Sequence, residues 1–342
     1  MSLDAGAEFT PLAVFPETPA LTARELRTAE TLRAVQMVAE MTGDELVVES
    51  VTDPSLITDR PGVYVFGNHL GGNAGNIIRD VNFVMQDKPM SGAADSAHAV
   101  IAGWLDVTFN DRPSEGIKVV AKCFAKRTPE ERFERAIREV TIMEELAGRH
   151  ELSLEPIALA IAPKGLPMDG QIILFSRQED ELLTFDNQPW GRGPSNQRNA
   201  DSGRTVAAAI GRFNAKYGLR HGDAKAKNCA EKYGKNPGMI DYETTVRFDK
   251  SDPFESSLTA EIDFGLMVDS LSKKGFLPLT SIDAYGRRNA VPRPIYRATC
   301  QMLQELAFAY LTEWESVSVG VQEAVTAQVS IIIDNFIESQ IG

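Results

Sequence analysis

Cysteine and histidine are scarce in this chain, at three and four of 342 residues. Cys123, Cys229 and Cys300 form neither a CxxC pair nor an even set, which excludes a disulfide framework and a zinc site of the usual spacing. They read as reduced, mostly buried thiols, as in a cytoplasmic protein. Basic residues are also in deficit: 35 Lys and Arg against 48 Asp and Glu leave a net charge of −13. A surface short of cations does not neutralise nucleic-acid phosphates, so no nucleic-acid partner is expected. The acidic balance suits a cationic ligand, but most acidic proteins are merely soluble. No apolar run is long enough to span a bilayer. The stretch from Met1 to Glu8 lacks the basic start and apolar core of a secretory signal, so no membrane partner is expected either. Internal repeats and low-complexity tracts are absent. At 43% apolar and 24% charged the composition is that of a globular protein, long enough for one two-lobed unit or two domains.

Against this plain background one stretch stands out, His221-Gly222-Asp223-Ala224-Lys225-Ala226-Lys227-Asn228. Farther on comes Met239-Ile240-Asp241-Tyr242-Glu243, an apolar run ending in carboxylates. Phosphoryl transfer needs one carboxylate to take the proton of an attacking hydroxyl. It also needs an amide oxygen and a second carboxylate to hold Mg²⁺ on the phosphates of ATP. Asp223, Asn228 and Asp241 are of the right types and order for those roles, Asp223 as base and Asn228 with Asp241 as metal ligands. Residues 228–233 suit a strand, Gly234-Lys235-Asn236-Pro237-Gly238 a turn, and Met239-Ile240 a returning strand. Such a hairpin brings Asn228 and Asp241 together at its open end. The bland alternative is a surface loop with chance Asp and Asn residues.

Upstream, Gly116 to Phe124 alternates and is β-branched, which predicts a buried strand carrying Lys122. Phe133, Ile137, Val140, Met143 and Leu146 recur at helical intervals and predict an amphipathic helix, with Thr128 as N-cap and Pro129 at its first position. Glu139 on that helix is the expected partner of Lys122, fixing the ammonium and keeping it charged. Glu134 is the alternative one turn away.

These residues resemble the protein-kinase-like superfamily, and its aminoglycoside phosphotransferase and choline kinase branch more than the eukaryotic protein kinases. The His-Gly-Asp opening and the Ile-Asp-Tyr-Glu metal motif carry the resemblance, over roughly residues 90–275. Gly222 stands where protein kinases often have Arg, and no Ala-Pro-Glu segment follows, so control by an activation-loop phosphate is not implied. The resemblance implies an α+β, bilobal protein-kinase-like fold with a small antiparallel-sheet N-lobe carrying one helix and a mainly helical C-lobe. It divides the chain into an N-terminal extension at 1–80, an N-lobe at 81–178 and a C-lobe at 179–342. The extension either packs on the small lobe or joins in substrate recognition.

Asp263-Phe264-Gly265 also spells a kinase metal motif, but lies farther from Asn228 than the resemblance requires. It is expected to brace the catalytic loop from near the start of a helix, with residues 244–259 an enlarged loop. Ser91, Gly92 and Ser96, in the turn before a strand within 95–109, are the candidates for a phosphate-covering loop that binds ATP beside Lys122. A Gly-x-Gly-x-x-Gly match is absent there, and the Gly-rich run 67–76 is read as a connecting loop. Strands are expected at 63–66, 154–161 and 170–176, a nucleotide hinge beginning near 176–179, and a helix over 206–217 capped by Gly218. His221 is expected to anchor the loop instead of shuttling protons. The implied activity is Mg²⁺- and ATP-dependent transfer to a hydroxyl of an aminoglycoside-, amino alcohol- or sugar-like small molecule. A protein-directed kinase and a nucleotide-binding scaffold without transfer remain the alternatives. Nothing in the residues bears on oligomeric state.

Overall fold

The computed structural model describes residues 48–70, 78–85, 99–110, 113–124, 128–147, 152, 154–162, 171–178, 182–185, 197–232, 236–282 and 288–341. Seven strands make the main sheet: β1 (Val48–Val51), β2 (Gly62–Phe66), β3 (Ile78–Met85), β4 (Ala99–Phe109), β5 (Glu115–Phe124), β6 (Pro156–Ile161) and β7 (Ile172–Arg177), in the order β1-β2-β6-β7-β5-β4-β3. All pairs are antiparallel except β1 with β2, which is parallel, so the sheet is mixed. The end strands β1 and β3 approach each other, curling the sheet into a nearly closed, barrel-like form.

The two-residue period of the strands sorts side chains between the two faces of this sheet. Val63 and Val65 of β2, Phe83 of β3, Leu105 of β4, Ile117, Val119 and Ala121 of β5 and Phe175 of β7 fill the inner face. Tyr64, Phe66, Phe124, Leu159 and Leu174 point the other way, into a second core shared with the helices. Lys122 lies on that outer face, between the buried neighbours Ala121 and Cys123.

Against the outer face packs α1 (Pro129–Ala147), buried along Ala136, Glu139, Val140, Met143 and Leu146. Its start is a capping box, in which Glu131 N–H donates to Thr128 Oγ1 at 3.3 Å and Thr128 N–H donates to Glu131 Oε2 at 3.2 Å. The helical region follows: α2 (Gln197–Tyr217), α3 (Pro253–Lys273), α4 (Arg293–Thr312) and α5 (Val319–Ile341). Short strands lie between these helices or just before them. β8 (Leu183–Thr184), β10 (Cys229–Glu231) and β11 (Gly238–Met239) form one small sheet; β9 (Leu219–Arg220) pairs with β12 (Val246–Arg247), and β13 (Thr280–Ile282) with β14 (Arg288–Ala290). No helix among the described residues is long and apolar enough to cross a membrane.

This architecture corrects the expected bilobal, protein-kinase-like fold. A small antiparallel sheet forming its own lobe is replaced by a seven-stranded mixed sheet, to which β1 and β2, within the stretch expected as an extension, contribute two strands. The helical region does not close a separate core of its own, because the outer-face core is continuous with it. That core runs from Leu159 and Leu174 through Val140 and Met143 of α1 to Ile210, Phe264 and Leu306 of the helical region. The stretch expected as an enlarged loop at 244–259 is also shorter. Asp252 caps α3, its Oδ1 accepting from Phe254 N–H at 2.8 Å, and Pro253 takes the first helical position.

Candidate functional site

The loop that carries Asp223 is fixed by a buried carboxylate. α2 ends at Gly218, whose φ of +64° suits the left-handed C-cap position. After β9, the backbone N–H groups of His221 and Gly222 donate to Asp263 Oδ2 and Oδ1 at 2.7 and 2.9 Å. Asn214 Nδ2 adds a third bond to Asp263 at 2.8 Å, and Tyr310 Oη donates to Asn214 Oδ1 at 2.9 Å. Burial raises the Asp263 carboxyl, opposed by His221 and by these donors. Gly222, at φ +76°, makes the turn that lets one carboxylate take two successive N–H groups, a backbone region costly for other residues. Asp263 lies midway along α3, and it braces the loop from there instead of from the helix start.

His221 is fully buried with both ring nitrogens engaged. Nε2 bonds Ile240 O at 2.9 Å and Nδ1 accepts from Asp223 N–H at 3.3 Å, so the partners assign the proton to Nε2. That arrangement anchors the loop and leaves no nitrogen for proton transfer. Asn228 Nδ2 donates to Asp223 Oδ2 and to Asp223 O, each at 2.9 Å. Lys225 forms an ion pair with Asp223 Oδ1. A carboxylate offers about four lone-pair sites, so Asp223 keeps capacity for a further donor such as a hydroxyl.

The second part of the site converges on Lys122. Its Nζ lies 2.6 Å from Glu139 Oε2 of α1, 2.5 Å from Asp241 Oδ1 and 3.9 Å from Glu243 Oε2. The Phe124 ring lies 4.9 Å from the same ammonium. Burial works against the charge of Lys122, but Glu139, Asp241 and Glu243 outweigh it and hold the ammonium above the ordinary lysine range. Glu243 is itself held from α1, by Arg135 Nη1 at 3.4 Å and, through its backbone carbonyl, by Arg138 Nη1 at 3.2 Å. Asp241 adopts φ +69°, the sole non-glycine residue with positive φ among the described residues. Asp tolerates this region better than most residues, and such strain gathers at functional sites.

Glu139, Asp241 and Glu243 all converge on one ammonium. Glu139, the most buried of the three, takes the consequence: burial, opposed by Lys122, pushes its carboxyl up to about 7. In Mg²⁺-free buffer the folded state therefore retains a proton that the unfolded chain has released between about 4.5 and about 7. Ionising Glu139 in place costs stability, so stability falls as pH rises through this window, by at most about 1.4 kcal/mol per pH unit. Urea unfolding across that range should show the decline in wild type and a flatter profile in Glu139→Gln. Identical slopes would contradict the raised Glu139 carboxyl.

The hairpin joins the two parts. Cys229 pairs with Met239 and Ala230 with Gly238, while Ile240 N–H donates to Asn228 O at 2.8 Å. Asn228 and Asp241 thus flank the open end of the β10–β11 pair. With Nδ2 turned to Asp223, the Asn228 amide oxygen is its remaining side-chain acceptor. An amide oxygen and a partly exposed carboxylate fit a hard divalent cation such as Mg²⁺. Among the described residues no three His, Cys, Asp or Glu side chains form a ready metal cage. Cys229, beside Asn228, is no nucleophile, because burial drives its thiol well up.

Ser91, Gly92 and Ser96, the candidates for the phosphate loop, lie outside the described residues, as do 71–76 and Glu179. The flanking strands can be stated: β3 and β4 pair, and Val100 of β4 stands opposite Lys122. Ser176 and Arg177, within the range expected for the start of a hinge, still belong to β7. Glu134, the alternative partner of Lys122, instead borders a cavity of about 340 Å³ with Thr58, Asp59, Pro129 and Glu130. Neither Lys122 nor Asp223 lines that cavity. Sequence reasoning gave no role to Arg135, Glu243 or Lys225. Lys225 sits two residues after Asp223 within the motif itself, where a cation beside a base is a readable signal.

No protein-family model matches this chain, and no curated protein matches it in sequence.

Proposed function

We propose that the protein is an ATP- and Mg²⁺-dependent phosphotransferase that moves the γ-phosphate to a hydroxyl of a small molecule of the aminoglycoside, amino alcohol or sugar type. The observation that carries this reading is the meeting at one ammonium of Lys122 from a strand, Glu139 from a helix and Asp241 from a distant loop, beside a loop with Asp223 bonded to Asn228. The reading rests on these side chains and on their likeness to aminoglycoside phosphotransferases and choline kinases in motif, not on architecture.

In the reaction, Lys122 binds α- and β-phosphate oxygens, exchanging its contact with Asp241 for them, and Glu139 keeps the ammonium charged and aimed. Asn228 Oδ1 and the Asp241 carboxylate would hold Mg²⁺, which when bound would offset charge on the phosphates. Asp223 accepts the hydroxyl proton and orients the oxygen in line with the γ-phosphorus. The new O–P bond forms as the bond to the ADP oxygen breaks. In a loose transition state this positioning matters as much as the proton transfer. Asp263 contributes by fixing the turn that aims Asp223.

A cytoplasmic setting belongs to the same proposal and is supported by three unpaired thiols, two of them buried. The test is label transfer from γ-labelled ATP to a panel of aminoglycosides, amino alcohols and sugars with Mg²⁺. A labelled phosphate ester with matching ADP is expected for at least one class. Nucleotide binding with no acceptor-dependent ADP across the panel would instead favour a nucleotide-binding scaffold.

A further inference from the structure

On the outer face of the sheet, which carries Lys122, α1 packs over β6 and β7, while Val84 of β3 and Trp104 of β4 are exposed. Alternation places Lys118, Val120 and Lys122 together on this face of β5, with Ile117, Val119 and Ala121 on the inner one. Trp104 of β4 stands opposite Lys118, and Val84 of β3 opposite Trp104. Trp104 and Val84 are 40% and 48% exposed, an apolar row beside Lys118 on this face. The Lys118 ammonium lies 5.6 Å from the centre of the Trp104 ring. Four residues of extended chain separate Lys118 from Lys122, about 13 Å at the usual strand rise. That span suits a nucleotide whose phosphates are bound at one end and whose base lies at the other.

The end of β7 offers little to a base within the described residues. Ser176 pairs with Val120 on one side and Pro156 on the other. Arg177 N–H donates to Glu155 O at 2.8 Å, and Gln178 N–H to Lys118 O at 2.9 Å. These N–H groups are spent on neighbouring strands and loops, whereas the indole of Trp104 still faces solvent.

We propose that Trp104, with Lys118 beside its ring, is the base-stacking surface for the purine of the nucleotide bound at Lys122. The proposal rests on the phosphotransferase reading and adds where the base lies. Stacking on an indole tolerates any purine, so the site takes purine nucleoside triphosphates and gains little from inorganic triphosphate.

The test titrates the full-length protein, in Mg²⁺, with ATP and with inorganic triphosphate, by calorimetry and tryptophan emission. Wild type, Trp104→Leu and Trp104→Phe are compared. ATP should quench wild-type emission. Trp104→Leu should bind ATP about tenfold more weakly and lose most of the quench, Trp104→Phe should recover much of the affinity, and triphosphate should bind all three alike. Equal ATP affinity in wild type and Trp104→Leu would overturn the stacking surface while leaving the phosphate site intact. A parallel loss of triphosphate binding in Trp104→Leu would also overturn it, by showing general damage. Failure of wild type to bind either ligand would overturn the phosphotransferase reading itself, and the base site with it.

Discussion

Asp263→Ala is expected to destabilise the protein by about 3–5 kcal/mol, the range for removing one member of a buried, charge-bearing network. The carboxylate is fully buried and takes three donors, Asn214 Nδ2 and the N–H groups of His221 and Gly222. Removing it orphans the buried His221 N–H, unpairs the part-buried Gly222 N–H and leaves Asn214 Nδ2 with Leu219 O alone, and each buried unpaired donor costs about 1–3 kcal/mol. The loss should show as a lowered urea midpoint with an unchanged slope. Asp263→Asn keeps the volume and one acceptor oxygen but turns an NH₂ toward a donor, so an intermediate loss is expected. A cost below about 1 kcal/mol for the alanine variant would mean that the loop is held by other contacts, Thr244 Oγ1 to His221 O at 2.8 Å foremost among them.

Asp223→Asn is expected to lower the transfer rate by about 10²–10⁴-fold, the usual contribution of a positioned general base. Fold and nucleotide affinity should change little. Asp223 is partly exposed, and the near-isosteric amide keeps an oxygen for Asn228 while losing the charge that pairs with Lys225. The separation is the informative part. Rate measurements under saturating ATP, with calorimetric ATP binding on the same preparations, should show lost turnover and retained affinity. If both fall together, Asp223 supports the loop instead of acting on the acceptor. If neither falls, the base lies elsewhere.

Local pattern carried much of the site. The alternation around Lys122, the helical period around Glu139 and the Gly-Pro turn after Asn228 are short-range signals, and each corresponds to an element: β5, α1 and the β10–β11 pair. Long-range pairing was less legible. Val48–Val51 is too short to announce its parallel partner, and β2 reaches β6 across nearly the whole of the sheet-forming sequence. Strand order and curl depend on such distant contacts, which is why a smaller two-lobed arrangement was expected. The start of α3 was available in Asp252-Pro253 with Glu255 in the first turn, a plain N-cap signal masked by the expectation of an enlarged loop. The grip of Arg135 on Glu243 joins a helix to a loop far along the chain, and nothing local to either residue marks it.

The central claim is that Lys122, Asn228 and Asp241 together form a Mg²⁺-dependent nucleotide site. Calorimetric titration of ATP with and without Mg²⁺, on wild type, Lys122→Ala, Asp241→Asn and Asp263→Asn under conditions where each is folded, tests it most directly. The account predicts binding that strengthens with Mg²⁺ in wild type and in Asp263→Asn. It predicts that Asp241→Asn loses the Mg²⁺ dependence and that Lys122→Ala loses most of the affinity. Wild-type protein that is folded and gives no heat or stabilisation with ATP in Mg²⁺ would contradict it.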